Sequence, residues 1–247
     1  MTFFQRYIAG ETDQVYKEIL ELGQDAFLPS NLPEVEKVLA EIFRRTRFNL
    51  DIIYQELVQQ NYVFKTGFRH NFERPLHPPL EDTDLLLDNI QNAIKAFGQV
   101  PLSLVYFYKI VGGVNFVWDY EKDENLLWQM ADPIQVVSLD ELLESVTDQD
   151  WIEMTQERIA DEESPSLILS ADVYHKDNIS GGPPYSLEIT PHKSFDSIFL
   201  DEPHETTFIN YLRICFEDCG FPGIRNSMYA NNYETFFEKV HPRLLKL

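Results

Sequence analysis

Apolar positions along the chain follow a helical period first and an alternating one later. Val15, Ile19 and Leu22 predict a short helix over 13–22, which Gly23 ends. From Pro33 to about Gln60, the residues Val35, Val38, Leu39, Ile42, Thr46, Asn49, Ile53 and Leu57 stay near one face, so this is the longest expected helix. Pro33 suits its first turn, and Glu34 and Glu36 complement the positive end of the helix dipole. Residues 62–72 are mixed and could form a strand, and Pro75, Pro78 and Pro79 then mark a connector. Leu86, Leu87, Ile90, Ile94 and Phe97 predict a helix over 84–97, with Thr83 as its cap and Gly98 as its stop.

The clearest stretch is 98–118, GQVPLSLVYFYKIVGGVNFVW. Leu104, Val105, Phe107, Tyr108 and Val111 are helical after Pro101, whereas Val114, Phe116 and Trp118 alternate as a strand does. Gly112 and Gly113 separate the two and open backbone angles closed to other residues. A second strand is expected at 134–137, and Ser138 with Glu141 has the spacing of a capping box for a helix through Val146. Residues 148–164 read as charged loop with one amphipathic turn around Trp151 and Met154. Strands follow at 167–169, 185–189 and 195–200, then helices at 205–219 and 233–245.

Charge changes this picture, because it is unevenly spread. The net charge is −21, and from Asp119 to Glu163 there are 15 acidic residues against 2 basic ones. Such a field repels phosphate backbones and anionic lipids and attracts basic proteins, so neither a nucleic acid nor a membrane is an expected partner. The one basic cluster, Arg44, Arg45 and Arg47, is expected to pair with the acidic middle of the same chain. No apolar run has the length of a membrane span and the N-terminus has no leader pattern. With Cys215 and Cys219 as the only cysteines, a reducing cytoplasm is the expected setting.

Candidate chemistry is sparse. Asp172, His175, Lys176 and Ser180 crowd one loop ahead of Gly181-Gly182-Pro183-Pro184, which suggests a His-assisted nucleophile in a hydrolase or transferase. The glycines follow no phosphate-loop pattern and Ser180 lacks a nucleophile elbow, so a structured surface turn is the commoner reading. His175, His192 and His204 fit no compact ligand spacing, so neither metal nor cofactor is expected. Trp118, Trp128 and Trp151 flank the acidic stretch and could anchor a protein partner beside Asp119, Glu121, Asp123, Glu124, Asp148 and Asp150. Cys215 and Cys219 lie on the apolar stripe of a helix, as small core residues do.

The 98–118 stretch also carries a family resemblance. Pro101, Leu104, Phe107, Tyr108, Gly112 and Gly113, followed by the strand at 134–137 and the capped helix at Ser138, resemble the signature region of the SUKH superfamily. That resemblance implies an α+β fold whose central, mostly antiparallel or mixed sheet is packed by helices. It also implies no catalysis, and a bacterial immunity protein that neutralises a cognate toxin. The whole chain, 1–247, then forms a single domain: a helical section over 1–80 precedes a SUKH-like core over 84–247. The expected function is protein binding through an acidic face, with a basic toxin domain as partner. A hydrolase or transferase using the Asp172 to Ser180 loop and a regulatory scaffold are the alternatives.

Overall fold

The computed structural model describes residues 1–66, 74–122, 128–227, 230 and 232–247. It opens with α1 (Phe3–Ile8), an element absent from the periodicity reading. Thr2 Oγ1 accepts from the Gln5 amide at 3.3 Å and Gln5 Oε1 accepts from the Thr2 amide at 3.2 Å, which satisfies two otherwise orphaned donors. Next comes α2 (Thr12–Leu22), burying Val15, Tyr16 and Ile19. The long helix α3 (Leu32–Gln59) has Pro33 in its first turn and runs 28 residues, about 42 Å. All eight positions named for its face are buried, and it packs on α1 and on helices from later in the chain. Among the described residues its arginines do not pair with the acidic middle of the chain. Arg44 and Arg45 both pair with Glu41 at 2.7 Å, and Arg47 donates to the Ile110 carbonyl at 3.1 Å.

The proline-rich connector holds a strand, β1 (Leu76–His77), which the three prolines concealed. After α4 (Thr83–Ile94) and α5 (Leu102–Ile110), β1 pairs antiparallel with β2 (Gly113–Asn115), setting Leu76 opposite Val114 and His77 opposite Gly113. The backbone passes from α5 to β2 through Gly112 at φ +96°, with the His77 carbonyl so close that a Cβ there would lie 2.1 Å from it. β2 ends at Asn115, short of the alternation's reach, although Trp118 forms an isolated bridge with Phe64. On its other side β2 pairs with β3 (Gln135–Val136), Val114 facing Val136.

At Ser138 the anticipated cap is present: Glu141 Oε2 accepts from the Ser138 amide at 3.0 Å and from its hydroxyl at 2.9 Å, opening α6 (Leu139–Thr147). The segment read as charged loop is instead α7 (Gln149–Ala160), a helix of 12 residues. Asp148 starts it by accepting from the Asp150 amide at 2.8 Å, and its inner side buries Trp151 and Thr155. A second antiparallel sheet follows, in the order β4 (Ser166–Ser170), β5 (Tyr185–Glu188), β6 (Phe199–Leu200), with the one-turn helix α8 (Val173–Lys176) between β4 and β5. The architecture is α+β, and among the described residues its pairing is antiparallel in two small sheets. The Val137 amide donates to the Leu169 carbonyl at 2.9 Å where β3 and β4 meet.

The chain closes with α9 (Phe208–Glu217) and α10 (Tyr233–Val240). Buried side chains form one continuous core from Tyr7 to Leu247. The N-terminal helices are tied into it by polar contacts as well. Tyr16 donates to the enclosed Asp196 carboxylate at 2.8 Å, and the amides of Ile209 and Ser197 donate to it at 3.0 Å each. Asn49 and Leu245 exchange two bonds of 2.8 Å, fixing the C-terminal residues on α3.

Candidate functional site

The loop singled out for chemistry folds around Asp172. Its carboxylate accepts from the amides of Tyr174 at 2.8 Å and His175 at 3.4 Å, so Asp172 is the N-cap of α8. One turn on, His175 Nδ1 meets the other Asp172 oxygen, so the cap also holds the imidazole. The pair is thus local: a three-residue spacing in a single turn makes it without convergence from elsewhere. Ser180 is exposed, and among the described residues no hydrogen bond joins it to Asp172 or His175. Lys176 is enclosed, with Nζ 2.5 Å from Asp132 Oδ1 and 4.8 Å from the centre of the Tyr185 ring. Tyr185 donates to Asp132 Oδ2 at 3.1 Å, so this buried charge pair is also hydrogen-bonded.

Two of these residues, His175 and Lys176, line a cavity of about 420 Å³ between the first sheet and α8. Val114, Val117, Val136 and Val137 supply its apolar lining, and Asn115, Gln135 and Asn178 its amides. Lys65, Arg74 and Lys176 contribute cations, His77 and His175 imidazoles, and Glu141 a carboxylate. Lys65 is held by Tyr120, its ammonium 4.3 Å from that ring's centre and bonded to its hydroxyl. Burial pushes the His77 pKa down, against the pull of Glu141 and Asp140. Gln135 Oε1 accepts from the Ala171 amide at 2.9 Å, and this turns the other end of its amide, the NH₂ donor, loose. Sequence reasoning met Glu141 only as a helix cap and did not single out Lys65, Arg74, His77 or Gln135. These residues come from four separate segments, and no spacing rule connects them.

The tryptophans do not form surface anchors. Trp118 and Trp128 are each 7% exposed and Trp151 4%. Trp128 packs on Phe221 and Phe236 at ring separations of 4.7 and 5.1 Å, Trp118 on Tyr62 at 5.0 Å, and Trp151 on Phe97 at 5.6 Å. Aromatic area that large is worth more in a core than in water, which is why the acidic flanks did not keep the rings outside. Asp119 is buried too, with Lys122 Nζ at 2.7 Å and the Glu121 amide donating to it at 3.2 Å. Glu121, Asp148 and Asp150 are exposed, while Asp123 and Glu124 lie outside the described residues.

What the sequence understated is the acidic side of α7. Asp150, Glu153, Glu157 and Asp161 recur at helical spacing, all exposed, around Met154, which is 41% exposed. Glu162 and Glu163 extend the patch, and Arg158 is tied to Glu163 at 3.4 Å.

His175 and His204 each pair with a carboxylate of their own, Asp172 and Glu202, and among the described residues no group of three or more His, Cys, Asp or Glu side chains comes together as metal ligands. Burial pushes the Cys215 thiol well up and that of Cys219 to about 12, so neither is a ready thiolate. None of the described helices is long and apolar enough to cross a membrane. Comparison with family models, with curated proteins and with solved structures returns no match.

Proposed function

We propose that this chain is a non-catalytic protein-binding domain of the SUKH type, acting in the bacterial cytoplasm as an immunity protein that neutralises a basic toxin. The observation that carries the reading is the outer side of α7, where Asp150, Glu153, Glu157 and Asp161 surround Met154 with no exposed cation among them. A patch of one sign accelerates encounter with a partner of the other and rejects like-charged competitors. Met154 adds an adaptable apolar contact at its centre. With the tryptophans in the core, docking depends on carboxylates and this methionine.

The test is capture on the immobilised full chain from native lysate, at low and at high salt, beside a Glu153→Lys, Glu157→Lys, Asp161→Lys variant. The reading expects a basic protein that the parent retains at low salt and the variant loses. Capture indifferent to the reversal, or no basic protein at all, overturns it. A basic partner without toxic activity makes the chain a regulatory scaffold instead.

A second reading, a hydrolase or transferase, is supported by His175, held by Asp172, lining the same cavity as Glu141. Ser180 is not among the lining residues, so the serine named in the loop is not the group that would act beside His175 in this cavity. If His175→Ala leaves every measurable activity of the parent intact, that reading ends.

A further inference from the structure

The cavity between the first sheet and α8 differs in character from the molecule's surface. The chain carries −21 overall, yet the cavity beside α8 is lined by Lys65, Arg74 and Lys176 against Glu141. Its volume, about 420 Å³, falls within the roughly 300–1,000 Å³ typical of small-molecule sites. We propose that this cavity binds a small molecule consisting of an anionic group on an apolar body.

The recognising groups can be told from the merely structural ones. Lys176 is matched by Asp132 and enclosed, so it shapes the local field without reaching a ligand. Arg74 is exposed at the cavity wall and, among the described residues, has no carboxylate within ion-pair distance. Its guanidinium offers a planar fork suited to carboxylate or phosphate oxygens. The Gln135 NH₂ adds a neutral donor, because its carbonyl end is held by the Ala171 amide at 2.9 Å. Val137, half-buried, and Val117 at the cavity wall offer the apolar body its contact surface, backed by the enclosed Val114 and Val136. Glu141 Oε2 is occupied by Ser138, and Oε1 remains to accept from a ligand hydroxyl or ammonium and to oppose a second anionic group. The inference does not rest on the acidic face of α7, which contributes no residue to this lining.

Amide-resolved NMR of the full chain tests it. Phenyl phosphate and benzoate are titrated separately to about 20 mM, with benzyl alcohol as the neutral counterpart. The expected result is saturable shifts at the amides of Asn115, Gln135 and Ala171 with one or both anions. Affinity for benzyl alcohol should be weaker by about tenfold, the loss expected when a charge-assisted contact is missing. Which anion saturates first separates phosphate from carboxylate recognition. Arg74→Ala, a change at an exposed side chain, should weaken the preferred anion by about fivefold or more while the far-UV spectrum stays unchanged. Absence of shifts at these amides with both anions overturns the proposal. So does benzyl alcohol binding as tightly, or an Arg74→Ala variant that binds like the parent. The charge-reversed α7 variant should bind the anions as the parent does, so failure of one idea is not failure of the other.

Discussion

Replacing Gly112 by alanine asks the fold to give up one specific contact. At φ +96° an L-residue is strained by itself, a cost of about 1–3 kcal/mol. The added Cβ would sit 2.1 Å from the His77 carbonyl oxygen, 2.6 Å from the Pro78 carbonyl carbon and 2.8 Å from the Pro79 nitrogen. All three are backbone atoms, so no rotamer change can relieve the overlap, and β1 must move away from β2. That forfeits the ladder between Leu76–His77 and Gly113–Val114, at about 1 kcal/mol per hydrogen bond. Together the loss is about 3–5 kcal/mol, a large part of the roughly 5–15 kcal/mol that holds a domain folded. Gly113→Ala is the milder comparison, because its Cβ would meet His77 Nδ1 and Ser138 Cα at 3.2 Å and the Val136 carbonyl oxygen at 3.3 Å, tight contacts that ask neighbours to yield slightly but not a 2.1 Å backbone clash. Urea unfolding followed by circular dichroism should show a much lower midpoint for Gly112→Ala and a clearly smaller loss for Gly113→Ala. Equal midpoints for the two variants would refute the steric argument. Because Pro75 and His77 line the cavity, Gly112→Ala should also perturb the amides of its wall.

Two further outcomes are expected. Lys176→Met leaves Asp132 and its Tyr185 bond enclosed without a counter-charge and should cost about 3–5 kcal/mol, whereas adding Asp132→Asn should restore part of it; an additive double variant in urea unfolding would contradict that coupling. Burial raises the Asp196 pKa even though Tyr16, Ile209 and Ser197 donate to it. The native state therefore holds that proton more tightly than the unfolded chain, and its contribution to stability is present at low pH and is lost as pH rises upward from the ordinary carboxylate value of about 4. Stability measured against pH for the parent and Asp196→Asn should converge or cross in the variant's favour as pH rises through that window, and a constant difference would exclude it.

Where the sequence was read well, local chemistry decided the outcome. One face of α3, the Ser138 and Glu141 cap, and the turn from α5 through Gly112 all follow from spacing and backbone sterics within a few residues. The helix α7 was hidden because only Trp151 and Thr155 face inward, and two buried positions in 12 do not mark a period. β1 was hidden because it is two residues long and framed by prolines. α1 could have been found, since Thr2 and Gln5 have capping-box spacing. The cavity could not: Lys65, Arg74, Val114, Gln135 and His175 meet only after two sheets and α8 have assembled. Nor could the burial of the tryptophans, which depends on partners as distant in sequence as Phe221 and Phe236.

The bond from Tyr16 to Asp196 joins positions 180 residues apart. A ribosome adding about 5–20 residues per second needs roughly 10–35 s to cover that interval. Throughout it, the inward side of α2 has already left the tunnel while its acceptor does not yet exist. Helices α1 and α2 can already pair with each other, as Arg6 does with Glu18, and α1 with α3, but the polar tie of α2 to the later half of the chain closes only once Asp196 has emerged.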